Sequence, residues 1–508
     1  MRKTRLSLIL FAACVLTAGA GQAGAVDDGP TLSMDEFITL TTARDTEFEA
    51  ILIDELTLKY QKDLRLPARD LVLSVKQQHE FYPNQDRDSP DTTVGLSKLF
   101  PYTGTEAEVS YEAGASLGSA RESGELSFSI AQPIAENAFG RSTRLLDKIV
   151  GLEVEVARHQ ITEAYEDYLA TVMLAYYDWY ADYENYQISR RSYEENLKLL
   201  DNMNERANQK IALPIDVNKV KLQVLSRQER MIEFEERYRN STNVIARMIR
   251  RTDDFDFIPA RPPVAADLPG EFKQRFQTFH DDSRTFSILN KLENLSSLEV
   301  AREADDLLPS INLIAGYTVS GDDYGIDNED NFVYAGIELE WPFGDQVDKA
   351  EYEVSQIADD RQKLITTNTY YRIYTQLQNL DLQIEREKNL GKIADERITL
   401  AVSILEDETE NYSFGKVTLN DYIQAFNDLD SNRFNKIERD VTYRKLVVEW
   451  LRLTDQLVTP AGVARQDRSP QLFGTALVNP DVWQRLRRAL AALPERIGEV
   501  FGRPPAHQ

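Results

Sequence analysis

Residues 307–345 read LLPSINLIAGYTVSGDDYGIDNEDNFVYAGIELEWPFGD. Apolar and polar side chains alternate here with a period of two, which is typical of β-strands that have one apolar face. One face of the first strand carries Ile311, Leu313, Ala315, Tyr317 and Val319, and one face of the second carries Val333, Ala335, Ile337, Leu339 and Trp341. The segment therefore predicts two strands joined by an acidic loop at residues 321–331.

The order of features around this segment occurs twice in the chain. Residues 65–253 and residues 307–455 each run from a strand region that begins with Leu-Pro, through a long helix, to a return helix that ends in Thr-Asp. The paired landmarks Pro67/Pro309, Pro133/Pro342, Asp216/Asp421 and Asp253/Asp455 are separated by 242, 209, 205 and 202 residues. Because the separation changes mainly inside the strand region, where loops accept insertions, we expect an internal duplication.

The helical part of each copy has a coiled-coil rhythm. Between residues 140 and 207, apolar residues recur at alternating steps of three and four, and a second apolar stripe lies beside the first. We therefore expect this helix, ~100 Å long at ~1.5 Å per residue, to pack against a neighbour on each side. The expected long helices are 140–207 and 346–412, and the shorter ones are 33–64, 214–250, 271–306 and 418–457. Each copy thus combines one long helix with two short helices stacked end to end.

The ends of the chain have their own signatures. Residues 1–25 have the basic start, apolar centre and small-residue end of a signal peptide, so we expect the mature chain to begin at Val26. Cys14 leaves open a lipoprotein alternative, which Phe11 and the apolar residues after the cysteine disfavour. A mature chain without cysteine has no disulfide, no thiol catalysis and no cysteine-bound metal.

These signatures and the duplication divide the chain into five parts. We expect a signal peptide at 1–25, a first repeat at 26–253, a linker at 254–270, a second repeat at 271–457 and a periplasmic tail at 458–508. The tail contains an amphipathic segment, residues 482–501, whose alternative role is docking on a membrane surface or a partner.

Charge and hydropathy narrow the class of protein. The 508 residues carry a formal net charge of −26, which becomes about −29 without the three basic residues of the signal, so nucleic acid is not an expected partner. After the signal no run of 18 apolar residues occurs, so any passage through a bilayer has to use strands.

Three details favour a membrane barrel over a soluble sandwich. The apolar runs are about ten residues long, aromatic residues lie near their ends, and the joining segments are polar. Glu338 and Glu340 alternate with the apolar face of their strand. Because a charge facing lipid near the midplane costs about 2–4 kcal/mol, we expect both carboxylates to face an aqueous lumen.

Three segments carry a family resemblance: LPSINL at 308–313, WPFGD at 341–345 and YSFGKVTLNDY at 412–422. With their doubled order, they make residues 32–457 similar to the outer-membrane efflux protein family, the TolC-like channel-tunnels of Gram-negative bacteria. The resemblance implies a mainly α chain with a membrane β-barrel. It implies a homotrimer with about four strands per protomer in a shared barrel, and four helical columns per protomer in a periplasmic α-barrel.

The resemblance also implies a gate at the helix tips. It assigns the first ring acid to Asp421, gives the position of the second acid to Gln424, and aligns Asp216 and Tyr412 with groups that bond each other in related channels. Expected adaptor-contact residues at the two tips are Lys210, Pro214, Gly415 and Lys416. The alternative for Asp421 and Asp216 is an ordinary helix-start acid.

The implied function is an outer-membrane exit duct for small-molecule efflux, working with a periplasmic adaptor and an inner-membrane transporter. No enzyme activity, cofactor or metal is expected, because the four histidines are isolated in sequence. The acidic loop is expected to be solvated, with calcium binding as the alternative. The alternative functions are type I protein secretion and a non-channel coiled-coil scaffold of the envelope.

Overall fold

The computed structural model describes residues 29–82, 87–115, 122–251, 255–263, 268, 270–322, 326 and 330–458. The expected signal peptide with Cys14, the tail from residue 459 onward and most of the acidic loop lie outside the described residues. The predictions made for those segments stay predictions.

Two long helices and their return helices have equal lengths in the two repeats. The long helices α4 (Arg141–Asn208) and α8 (Gln346–Ser413) have 68 residues each, and the return helices α5 (Pro214–Met248) and α9 (Leu419–Leu453) have 35 each. The remaining helices are α1 (Met34–Arg44), α2 (Thr46–Thr57), α3 (Gln61–Arg65), α6 (Phe272–Asp282) and α7 (Arg284–Asp306). The expected coiled-coil helices are therefore present at the expected positions.

Two of the shorter helical segments, residues 33–64 and 271–306, are interrupted, whereas the sequence predicted one continuous helix in each. Asp45 has extended backbone angles, φ −73° and ψ 132°, and its side chain accepts a hydrogen bond from the backbone of Glu47. Ser283, with φ −76° and ψ 139°, caps α7 in the same way through Phe286. A residue that caps a helix with its side chain leaves helical geometry itself, so each cap interrupts its segment at that residue.

The strands form one antiparallel sheet. Its order is β2-β3-β4-β5-β7-β8, and a separate parallel pair, β1 (Thr31–Leu32) with β6 (Ile258–Pro259), lies apart from it. The strands of the sheet are β2 (Leu71–Tyr82), β3 (Arg87–Phe100), β4 (Thr105–Ala115), β5 (Glu122–Pro133), β7 (Ser310–Asp322) and β8 (Asp330–Glu340). The resemblance implied about four strands per protomer. The described chain has six in this sheet, because every strand between residues 71 and 133 pairs with its neighbour.

The helices form a wall of four columns beneath the sheet. α4 packs along α5 and the short helices α1 to α3 on one side and along α7 and α9 on the other, and α8 packs along α7 and α9. The columns are therefore α1–α3 with α5, then α4, then α7 with α9, then α8, which is the four-column arrangement that was expected. α5 and α8 lie at opposite edges of the wall.

The largest buried cluster lies in the middle of the wall. Tyr176 and Trp179 of α4 are fully buried, and the Tyr176 hydroxyl donates to the carbonyls of Leu32 and Ala260 at 2.8 and 2.7 Å. The tyrosines of this segment thus pack within the wall and connect the β1–β6 pair to it. Within the described residues, no helix has both the length and the apolar character needed to cross a membrane.

Candidate functional site: sheet faces and helix tips

One face of the six-stranded sheet is apolar from edge to edge. Side chains of directly paired residues lie on the same face of a sheet, and one cross-strand row consists of Leu73, Leu96, Val109, Phe128, Tyr317 and Val333. Many of its members are open to solvent in a single chain, with Leu73 66 % and Val333 78 % exposed. An apolar surface of this extent is typical of a membrane or protein interface.

The opposite face carries carboxylates. Glu338 and Glu340 of β8 lie on it, paired with Asn312 and Ser310, as the alternation in the sequence predicted. β4 contributes Glu106 and Glu108 to the same face. These two acids were not predicted from the sequence, because the register of a strand with its neighbours decides on which face of the sheet each side chain lies. That this face lines a lumen stays a prediction.

Both edge columns of the helical wall also have apolar stripes that remain exposed among the described residues. On α5 the exposed side chains are Ile215, Leu222, Leu225 and Ile232, and on α8 they include Val354, Ile357, Leu364, Leu400 and Ile404. Their spacing is that of coiled-coil contact positions. The two edges of one chain are thus suited to pack against other helices.

At the second helix tip, Thr418 is the N-cap of α9 and forms a capping box with Asp421. The Thr418 backbone N–H donates to Asp421 Oδ2 at 3.0 Å, and the Asp421 N–H donates to Thr418 Oγ1 at 3.3 Å, which forms a capping box. The hydrogen bonds from the Thr418 side chain and backbone lower the pKa of Asp421. The carboxylate is therefore ionised and exposed at the end of the wall.

The first tip has a similar backbone turn but no side-chain cap, because Leu213 stands where the second tip has Thr418. Asp216 occupies the same third position of its helix, with Lys219 Nζ 3.7 Å from its Oδ1 and Pro214 at the helix start. Lys210 has φ 62°, close to the 67° of Gly415, so both residues end their long helices in the left-handed region. Lys210 therefore stands where the second repeat has glycine. Lys210, Pro214, Gly415 and Lys416 are all exposed.

Tyr412 has a partner other than the Asp216 that the resemblance implied, and Gln424 bonds within its own helix. The Tyr412 hydroxyl donates to Met203 Sδ at 3.2 Å, and the Tyr412 ring stacks on Tyr422 with centroids 5.4 Å apart. An apolar cluster between the helical hairpins α4–α5 and α8–α9 encloses the Tyr412 side chain. Gln424 Nε2 donates to Asp428 Oδ1 at 2.8 Å. Asp428 was not predicted as a site residue, although it lies seven residues after Asp421 on the same face of α9.

A buried ion pair joins the two hairpins above the tips. Arg227 Nη1 of α5 lies 3.6 Å from Asp430 Oδ2 of α9, with the two side chains 8 % and 1 % exposed. Ser192 of α4 also donates to Asp430, and Arg433 Nη1 is 3.7 Å from its second oxygen. Burial raises the pKa of Asp430 and lowers that of Arg227. Three helices are thus connected through one carboxylate.

A second polar cluster lies at the middle of the wall. Glu163, Glu166 and Asp455 bring carboxylate oxygens within 4.8 Å of one another, a grouping that could hold a metal ion. The guanidinium of Arg284 already supplies a positive charge, 3.3, 2.5 and 3.7 Å from the three groups. The arrangement is that of a structural ion cluster that connects α4, α7 and the end of α9.

No family model and no curated protein sequence matches the chain. Solved structures do resemble it. The structure of CusC, which concerns conformational changes accompanying folding and transmembrane channel formation, has a TM-score of 0.66 at 10 % identity and covers 86 % of this chain and 95 % of its own. The CmeC outer membrane channel of Campylobacter jejuni has a TM-score of 0.62 at 11 % identity, covering 90 % of this chain and 89 % of its own.

The open state of the MtrE outer membrane channel of Neisseria gonorrhoeae has a TM-score of 0.63 at 13 % identity and covers 83 % of this chain and 88 % of its own. These likenesses extend over the helical wall and the sheet together. The chain therefore has the fold of the TolC-like outer-membrane channel-tunnels.

Proposed function

We propose that the chain forms a homotrimeric duct through the outer membrane and periplasm, through which a tripartite system exports small molecules. The observation that carries this proposal is the sheet, which has an apolar face exposed in the single chain and carboxylates on the other face. Such a sheet, attached to long periplasmic helices, fits a wall with lipid outside and water inside. The duct makes and breaks no bonds, so it needs neither cofactor nor metal.

Oligomerisation follows from the two kinds of open edge. The described part of β2 pairs only with β3, and that of β8 pairs only with β7. The exposed stripes of α5 and α8 lie at the corresponding edges of the helical wall. Since the two edges differ, copies would join head to tail, and such interfaces generate rings when the rotation between copies closes. The proposed ring has three copies, as the family resemblance implies.

The charges suit the passage of cations. Glu106, Glu108, Glu338 and Glu340 face the proposed lumen, and Asp421 with Asp428 adds carboxylates at the periplasmic end. Rings of acidic side chains raise the local concentration of cations and set selectivity in pores. The exposed tip residues Lys210, Pro214, Gly415 and Lys416 are the surface that the proposed adaptor would contact.

Two alternative functions, type I protein secretion and a coiled-coil scaffold, make different demands on the structure and on its partners. A duct for type I protein secretion would have the same structure and a different inner-membrane transporter. A coiled-coil scaffold would have no use for a sheet with an exposed apolar face, which disfavours it.

The proposal is tested in cells that lack the chain. We expect the deletion strain to become more sensitive to toxic small molecules, the secreted proteome to stay unchanged, and the wild-type chain to fractionate with the outer membrane. Loss of particular secreted proteins with unchanged sensitivity would instead indicate protein secretion. A chain extracted without detergent would contradict the duct altogether.

A further inference from the structure

The sheet contains more strands than the wall has columns. β2 follows α3, β5 leads into α4, β7 follows α7 and β8 leads into α8, so four strands continue into the four columns. β3 and β4 have no helix of their own and are joined by the turn at residues 101–104. They form an additional hairpin between the first and second columns.

The turn of this hairpin is held at the boundary between sheet and helices. Arg69 Nη2 donates to the Tyr102 hydroxyl at 2.7 Å, and Arg144 Nη1 donates to the Tyr102 carbonyl at 2.9 Å. Any side chain on Gly140, which has φ 75°, would collide with that carbonyl. The turn therefore packs against the starts of both β2 and α4.

The hairpin is also paired along its length on both sides. β2 and β3 pair from Leu71–Lys98 to Tyr82–Arg87, and β4 and β5 pair from Glu106–Ala131 to Ala115–Glu122. Leu96 and Val109 continue the apolar row of the flanking strands. The hairpin is thus part of the sheet, and its faces match those of the other strands.

Sheet and wall have similar widths only when all six strands are counted. Strands ~4.8 Å apart and tilted by about 40° occupy roughly 38 Å of arc for six strands and about 25 Å for four. Four helical columns at 8–10 Å spacing occupy roughly 32–40 Å. Six strands therefore let a lumen keep its width from the helical tunnel into the membrane.

We propose that three copies close one sheet of eighteen strands, in which β2 of each copy pairs with β8 of the next. The inference rests on the proposed trimeric duct and departs from the twelve strands implied by the resemblance. Because barrel diameter grows roughly linearly with strand number, the membrane passage is about one and a half times as wide as a twelve-stranded one.

The two edge strands suit each other as partners. An antiparallel sheet of six strands has edges that run in opposite directions, so β2 meets β8 of the next copy antiparallel and the strand number stays even. Leu73 and Val75 then continue the apolar face of Ile337 and Leu339, all exposed in the single chain. On the other face, the cation of Lys76 meets the edge that carries Glu338 and Glu340.

Disulfide cross-linking of the full-length chain tests the seam. Cys14 is the only cysteine of the sequence, so a Cys14→Ser chain supplies a background free of thiols. Leu73→Cys or Val75→Cys on β2 is combined with Ile337→Cys or Leu339→Cys on β8, and oxidised samples are separated on denaturing gels. We expect covalent dimers and trimers from at least one of these same-face pairs.

Two kinds of control make the result specific. Val75→Cys with Glu338→Cys places the thiols on opposite faces and is expected to give no cross-link. Val109→Cys of β4 combined with Ile337→Cys or Leu339→Cys tests a ring of four strands per copy that omits β2 and β3. Cross-links from these β4–β8 pairs, without any from β2–β8, would overturn the eighteen-stranded sheet.

Native mass spectrometry of the same samples separates the two proposals. A trimer without β2–β8 cross-links would overturn the seam and leave the duct intact. A monomer would overturn both.

Discussion

Arg284 of α7 and Glu166 of α4 form a buried ion pair, with Nη2 2.5 Å from Oε2 and the side chains 11 % and 1 % exposed. Glu166 also accepts a hydrogen bond from the Val458 backbone at 2.7 Å. Glu163 and Asp455 share the same guanidinium. Three carboxylates thus compete for one cation at the place where α4, α7 and the end of α9 meet.

This competition predicts a dependence of stability on pH. Burial raises the pKa of Glu163 to about 7 and that of Glu166 to about 7, with Arg284 opposing the shift and Asp455 adding to it. Since these pKa values lie above the ordinary 4.5, the folded chain binds more protons than the unfolded chain between about pH 4.5 and 7. The contribution of both groups to the free energy of unfolding therefore falls as the pH rises through that window.

Glu163→Gln removes one of the titrating groups. We expect its melting temperature to exceed that of the wild type at pH 7.5 and the difference to shrink at pH 5, as followed by circular dichroism. Glu205→Gln, at an exposed position of the same helix, is the matched control and should follow the wild type at both pH values. A pH-independent effect of Glu163→Gln would contradict this account of the cluster.

The Arg227–Asp430 pair predicts a large stability effect with a specific rescue. Arg227→Leu leaves Asp430 buried with Arg433 as its remaining ion-pair partner, and breaking a buried pair on one side costs about 3–5 kcal/mol. Replacing both partners by leucine removes the unpaired charge, so the double variant should recover most of the loss. Urea unfolding of the helical part measures both effects. A double variant no more stable than Arg227→Leu would show that the charge was not the cause.

The left-handed conformation of Lys210 predicts that glycine is preferred there. The left-handed conformation destabilises a residue that has a side chain by about 1–2 kcal/mol. Glycine avoids this strain, but part of the gain is lost because glycine has more conformational entropy in the unfolded chain. Lys210→Gly is therefore expected to stabilise the chain by up to ~1 kcal/mol in thermal unfolding. Lys416→Gly, next to the position that already holds a glycine, lies outside the left-handed region and should stabilise nothing.

The two faces of the sheet predict opposite outcomes for arginine substitutions at two neighbouring residues of β5. Ile130 lies on the apolar face and Ser129 on the face that carries Glu108. Arginine on a lipid face costs about 2–4 kcal/mol near the midplane, whereas arginine in a lumen is hydrated. Ile130→Arg should thus reduce the amount of trimer in the outer membrane, measured by fractionation and gel mobility, and Ser129→Arg should not. Equal amounts of the two variants would contradict the assignment of the faces.

The sequence predicted the helical part well because its signal is local. The apolar rhythm and the doubled order of landmarks predicted α4 and α8 to within one residue at each end. The breaks at Asp45 and Ser283 were not predicted, since a cap inside an apolar pattern changes only a few residues. The full length of β3 could not be predicted from local signals, because its first residues include Asp88 and Pro90, which are typical of turns.

The polar clusters inside the wall could not be predicted from the sequence at all. Arg227 and Asp430 are about two hundred positions apart, and Arg284 meets Glu166 across two repeats. Each side chain alone looks like an ordinary charge on a helix. Only the packing of the columns brings the partners together.

A duct formed by the assembled chain conducts ions, and single-channel recording in a planar bilayer measures this conduction. We expect the purified trimer to give discrete, cation-selective currents that grow when Asp421→Ala removes the exposed carboxylate and its cap at the tip. Asp421→Asn keeps a hydrogen-bond acceptor for the cap without the charge, so it should reduce selectivity with a smaller effect on current. A trimer that enters the bilayer and gives no current would show that the chain does not form an open duct.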